Sequence, residues 1–233
     1  MALVSRIRLV PAFVAASLVL PAGTAAQDGT GGSAAPEPAP PPASAAGSTL
    51  SAGAQALLGH AGKVTGTVRR RYHGRLVRIQ RFDDTAKLWR SEARAIVARD
   101  GSFSARWRPR VLGPARLRAA VQRRSSASVT NASPEVLVRV FKPGMATWYG
   151  PGLYGNTTAC GQELTPDLVG VAHRTLPCGT MVEVAYGGTS VVVPVVDRGP
   201  YADGMTWDLT AAAAKLLGFT STARVGALVQ PAS

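Results

Sequence analysis

The sequence predicts an all-β chain. Short β-rich runs recur from residue 64 to residue 196, Gly/Pro and Asp turn signals separate them, and residues 211–217 alone, closed by Gly218, have the look of a helix. The chain has 233 residues, 25 of them Gly and 17 Pro, enough length for one or two domains with a real core and many breaks within it. After residue 26 no apolar run approaches the ~20 residues that span a bilayer, which excludes a polytopic transporter.

Residues 1–26 read as a cleaved secretory signal peptide. Arg6 and Arg8 precede an apolar stretch at residues 9–20, and Thr24-Ala25-Ala26 offers a small-residue cleavage site. The mature protein is therefore expected to be secreted or in the cell envelope, and with no cysteine near the cleavage site there is no lipobox. Residues 27–57 are dominated by Ala, Gly, Pro, Ser and Thr, with Pro36, Pro38 and Pro40 to Pro42 clustered. Such a stretch buries too little apolar surface to offset chain entropy, so it is expected to be a disordered linker.

Residues 58–142 read as six short strands, at 64–68, 76–80, 93–97, 103–107, 117–121 and 136–140, an antiparallel β-sandwich of Ig-like architecture. Alternation turns Phe103, Ala105 and Trp107 inward and Arg106 and Arg108 outward; likewise Leu117, Ala119 and Val121 face in while Arg116 and Arg118 face out. This segment carries the basicity. Of 26 Lys+Arg against 13 Asp+Glu in the chain, residues 58–142 hold 20 and 5, whereas residues 143–233 hold 4 and 6. In an exported protein such a patch fits anionic wall polymers and not nucleic acid; the alternative is a solvated face that keeps the sandwich soluble. Two cysteines cannot build a four-thiolate zinc site and His60, His73 and His173 have no metal-ligand spacing, so no metal or cofactor is expected. Nothing suggests a helical dimer interface, and a monomer is expected.

Residues 143–233 differ in texture. They carry ATWYGPGLYGNTTACGQ (146–162), VAHRTLPCGT (171–180), VVVPVVDRGPY (191–201) and WDLTAAAAKLLGF (207–219). Asp197 ends a β-rich run beside Arg198-Gly199-Pro200, and Asp208 stands just ahead of the helix. Each has a structural alternative: Asp208 as a helix cap, alone or with Thr210, and Asp197 as a turn residue or a partner of Arg198. Glycosidic cleavage needs a proton donor and stabilisation of an oxocarbenium-like centre, commonly from two carboxyl groups.

Together these motifs, which cover nearly the whole segment, resemble the RlpA-like (rare lipoprotein A-like) double-psi β-barrel family, related to barwin and the expansins. The AxWYG opening, the TAxG turn, the AHxTLPxGT block, DRGP and the DLT helix start stand in family order and spacing. The resemblance implies a six-stranded barrel with a shallow groove and lytic transglycosylation of peptidoglycan. It brings Asp197 and Asp208 to one groove, with His173 orienting a carboxylate, binding sugar or simply bonding structurally. Tyr149 is the expected sugar platform, with Trp148, Tyr154, Thr158, Gln162 and Arg198 also on the substrate side; Trp148 in the core is the alternative. Cys160 and Cys178, both in barrel motifs of an exported chain, are expected to form a disulfide. One departure stands out: where many members have glutamate in the first turn, this chain has Gln162, followed by Glu163. A non-catalytic, wall-loosening groove is therefore the competing expectation.

Overall fold

The computed structural model describes residues 43–45, 47–122 and 129–231; the expected signal peptide and the start of the expected linker lie outside them. The first ten strands are β1 (Ala43–Ala45), β2 (Ser48–Ala52), β3 (Gln55–Leu57), β4 (Gly62–Thr67), β5 (Leu76–Asp83), β6 (Leu88–Ile96), β7 (Ser102–Trp107), β8 (Gly113–Gln122), β9 (Val129–Ala132) and β10 (Val136–Tyr149). They form a sheet of order β1-β2-β4-β7 and a second of order β6-β5-β8-β10, with β9 beside β8 and β3 beside β10. One apolar core joins the two, with Leu50, Val64, Phe103 and Trp107 from the first and Val77, Ile79, Leu117, Val121 and Val140 from the second. The alternation read from the sequence holds: Phe103, Ala105 and Trp107 are buried while Arg106 and Arg108 are exposed.

The linker expectation requires correction. Residues 48–57 contribute β2 and β3, so the fold begins well before residue 58. Leu50 is the reason: fully buried, it gives one strand of otherwise small residues roughly 2 kcal/mol of burial, while pairing with β4 satisfies the backbone. Composition averaged over thirty residues hides a single well-placed leucine.

The basic surface is only partly neutralised. Arg81 pairs with Glu92, Arg90 with Asp83 and Arg116 with Glu135, and the guanidinium groups of Arg116 and Arg118 lie 4.1 Å over the Phe82 and Trp89 rings. Lys63 and Arg106, by contrast, stand directly opposite each other across β4 and β7, both exposed. Like charges at such a pair oppose sheet formation.

β10 runs through the expected boundary near residue 142. Its residues 136–140 pair with β8, and residues 142–146 pair with the last strand of the chain. No flexible linker separates the two parts. Arg139 reaches Glu183 at 2.6 Å, Ser190 and Gln230 also donate to that buried carboxylate, and Gln55 donates to the Gly188 carbonyl. Gly226 allows the close approach: a Cβ there would lie 2.6 Å from the Phe141 side chain.

The remaining elements are β11 (Val171–Ala172), β12 (Met181–Tyr186), β13 (Thr189–Asp197), β14 (Trp207–Thr210), α1 (Ala211–Leu217) and β15 (Ala223–Val229). Pairing runs β10-β15-β12-β13-β11-β14 and returns from β14 to β10, a closed six-stranded barrel. Val171, Val182, Val184, Val193, Val195 and Leu209 fill it. Thr210 caps α1 by accepting from Ala213 N–H, and Gly218 ends it in the left-handed conformation, with φ 64°.

Candidate active site

Four strands carry a single row of residues across the barrel wall. Thr147 on β10 is opposite Asp208 on β14, Asp208 is opposite Ala172 on β11, and Ala172 is opposite Asp197 on β13. The two aspartates therefore flank the small side chain of Ala172, their Cα atoms two strand spacings apart, roughly 10 Å. Neighbouring residues Leu209 and Val171 point into the core, which turns Asp208 outward.

Simple alternation would put Asp197 on the same face as buried Val195. The register between β11 and β13 shifts at this point, and Val195 and Val196 are both buried in succession. That bulge re-aims Asp197 into the row. Its Oδ1 then accepts from the N–H groups of Ala159 and Arg198, both at 2.8 Å. The turn containing Ala159 is fixed in turn by the Cys160–Cys178 disulfide.

Asp208 does not cap the helix; Thr210 does. Instead Asp208 Oδ1 accepts from the Thr147 hydroxyl at 2.6 Å. Burial raises the Asp208 pKa, the Thr147 bond opposes that rise, and the charge of Asp197 adds to it. Tyr149, two residues after Thr147 on β10, brings its hydroxyl to the same place. That oxygen is buried, and Asp197 is the side chain it is set to hydrogen-bond. Burial first, then Asp197 and Asp208, raise its pKa far above the ordinary phenol value. It stays protonated, a fixed donor beside two carboxyl groups.

Residues 142–228 match the family model described as "Lytic transglycolase". This segment is similar to that family. Across 98 residues the chain is 42% identical to a "Probable endolytic peptidoglycan transglycosylase RlpA" of Synechocystis sp., covering 41% of this chain and 30% of that protein. It is 48% identical over 88 residues to "Endolytic peptidoglycan transglycosylase RlpA" of Pseudomonas aeruginosa, 35% of this chain and 25% of the relative. The Neisseria meningitidis protein of that name is 34% identical over 109 residues, 46% of each chain. The chain thus spans less than half the length of these curated relatives.

In the barrel the other expected site residues divide. His173 Nδ1 accepts from the N–H groups of Thr175 and Leu176, and its ring packs on Trp207 with centroids 4.6 Å apart. Burial, followed by Arg198, Lys142 and Arg174, lowers its pKa, so it is neutral at pH 7 and that nitrogen is not available to orient a carboxylate. Arg198 does not pair with Asp197; its guanidinium donates to the Leu176 and His173 carbonyls and to Cys178 Sγ. Thr158 is buried, its hydroxyl accepting from Gln162 N–H within the turn. Gln162 and Glu163 are both exposed, and Glu163 is not among the charges acting on Asp208 or Tyr149.

The aromatic assignments shift as well. The Tyr149 hydroxyl is set against Asp197 and Asp208, and its ring is partly buried. Trp148 and Tyr154 are the exposed rings, at 40% and 39%, and Trp148 Nε1 donates to the Thr220 carbonyl. Tyr154 lies over Gly150, where a Cβ would meet its hydroxyl at 2.8 Å. Thr147 escaped the sequence reading; its signal was the i, i+2 spacing to Tyr149 on a strand.

Proposed function

We propose that the barrel cleaves peptidoglycan glycan strands as a lytic transglycosylase, in an exported, cell-envelope protein whose basic sandwich holds it to anionic wall polymers. The observation that carries this reading is the row Thr147, Asp208, Ala172, Asp197 with the Tyr149 hydroxyl set against both carboxyl groups. Asp208 is the acid. Its raised pKa favours the protonated form, and Thr147 occupies Oδ1, which leaves Oδ2 to carry the proton.

The proton passes from Asp208 to the glycosidic oxygen as the C1–O bond breaks and positive charge develops at C1. Asp197, fixed by two backbone N–H groups, stabilises that charge. The 6-hydroxyl of the same sugar then attacks C1 and returns its proton to Asp208, closing a 1,6-anhydro ring without water. An intramolecular nucleophile gains high effective molarity, so one acid/base carboxyl suffices. The Tyr149 hydroxyl, set against both carboxyl groups, helps hold Asp197 in the row. Cys160–Cys178 fits an oxidising compartment, and no described helix is long and apolar enough to cross a membrane.

A second reading, a groove that holds glycan without cutting it, rests on Gln162 in the place of the family's glutamate. Digesting purified sacculi with the full chain in ¹⁸O-labelled water and analysing the soluble products by mass spectrometry separates the cases. Unlabelled 1,6-anhydro ends support the proposal, labelled reducing ends replace it with hydrolysis, and binding without products supports the second reading.

A further inference from the structure

A cleft opens apart from the aspartate row. It lies where the sandwich meets the barrel, a space of about 580 Å³ walled by β3 and the loop after it, by Phe141, and by the β12–β13 hairpin turn and β15. It faces β12 and β15 on one side of β10, whereas the aspartate row crosses β14, β11 and β13 on the other. Its size falls in the range of small-molecule sites, which favour domain junctions. The walls are held in place by the shared strand, the Arg139–Glu183 pair and the Gln55–Gly188 bond, so the space is pre-formed.

Its chemistry is one-sided. No Asp or Glu lines it, while Arg224 and His60 do. Among the few cations of the barrel segment, Arg198 is committed to carbonyls of its own fold, and Arg174 likewise holds those of Pro200 and Ala202. The Arg224 side chain is exposed on the cleft and forms no ion pair or hydrogen bond among the described residues. His60 Nδ1 bonds the Leu58 carbonyl, which puts the proton on Nδ1 and leaves Nε2 an acceptor for a hydroxyl. The Gly187-Gly188 turn has positive φ at both positions and open space where side chains would stand, so a ligand meets bare backbone there beside the Tyr186 ring.

We infer that this cleft is a second ligand site, selective for a pyranose that bears a carboxylate, with Arg224 taking the carboxylate and His60, Tyr186 and the glycine turn taking the sugar. A guanidinium presents a fork of donors that matches a carboxylate. The carboxylate half of the assignment stands on the cleft alone; the sugar half rests on the glycan reading above. Such a site holds the acidic sugars of a strand away from the aspartate row and keeps the enzyme on its polymer between cuts.

The test is an NMR titration of the full chain with N-acetylmuramic acid, N-acetylglucosamine and lactate. The inference requires that N-acetylmuramic acid shift the amides of Gly187, Gly188 and Gly226 and bind at least fivefold tighter than N-acetylglucosamine. Arg224→Gln should erase that preference and Ala54→Trp should block the cleft, whereas Asp208→Asn should leave it intact even though cleavage is lost. Shifts confined to the aspartate row, or a preference untouched by Arg224→Gln, would overturn the site. Lactate binding as tightly as the sugar acid would overturn the sugar assignment.

Discussion

Replacing both cysteines, Cys160→Ser with Cys178→Ser, perturbs stability and the site together. The bridge joins residues 18 apart in sequence, and in the chain-entropy model closing a loop of that size contributes about 3 kcal/mol at 25 °C. For a fold of 150–250 residues each kcal/mol moves the midpoint by about 2–4 °C, so the double variant should melt about 6–12 °C lower. The bridge also holds the turn whose Ala159 N–H donates to Asp197, and Cys178 Sγ accepts from Arg198. At 25 °C, with the variant still folded by circular dichroism, glycan cleavage should fall at least tenfold. A midpoint lowered by under about 2 °C would refute the loop-closure argument. A variant that melts as predicted yet cleaves at the wild-type rate would detach the disulfide from the placement of Asp197.

Asp208→Asn should stabilise the protein at neutral pH. The folded pKa of Asp208 lies above its ordinary 3.8, so the folded state holds the proton more tightly than the unfolded chain, and stability falls as pH rises from the unfolded to the folded pKa. Thermal melts should show the variant above wild type at pH 7 and level with it near pH 3; a variant less stable at pH 7 would contradict this. Tyr149→Phe removes a buried hydroxyl set against Asp197, so kcat should drop at least tenfold with KM little changed while the protein stays folded by circular dichroism; full activity would make the hydroxyl idle. For the sandwich, Lys63→Gln with Arg106→Gln should weaken binding of the full chain to sacculi and flatten its dependence on salt. Salt-insensitive binding by the wild type would return that face to a purely solubilising role.

Much of the fold was legible because it rests on strict local patterns. Phe103, Ala105 and Trp107 alternate with arginines, and only one face of that strand can be buried. The cysteines were legible as a pair because no other cysteine competes. What was not legible depends on contacts distant in sequence. Leu50 signals nothing until β4 and β7 close over it, so composition alone extends the linker too far. Pro143-Gly144 stands between the sandwich and barrel halves of β10 and reads as a break in the sequence, yet the structure runs one strand through it.

The site shows the same division. Asp197 and Asp208 were found as residue types at the ends of recognisable blocks. Their shared row exists because a bulge at Val196 re-aims one of them, and period-2 reasoning would have buried it. The roles of His173 and Tyr149 exchanged character for a similar reason. His173 Nδ1 is taken up by two turn amides, and the Tyr149 hydroxyl is set against the carboxyl pair.

The most direct test of the account compares wild type and Asp208→Asn on the same purified sacculi, measuring bound protein by sedimentation and 1,6-anhydromuramyl ends by mass spectrometry. The account predicts equal binding, with anhydro ends from the wild type and none from the variant. Anhydro ends released by Asp208→Asn at the wild-type rate would contradict it.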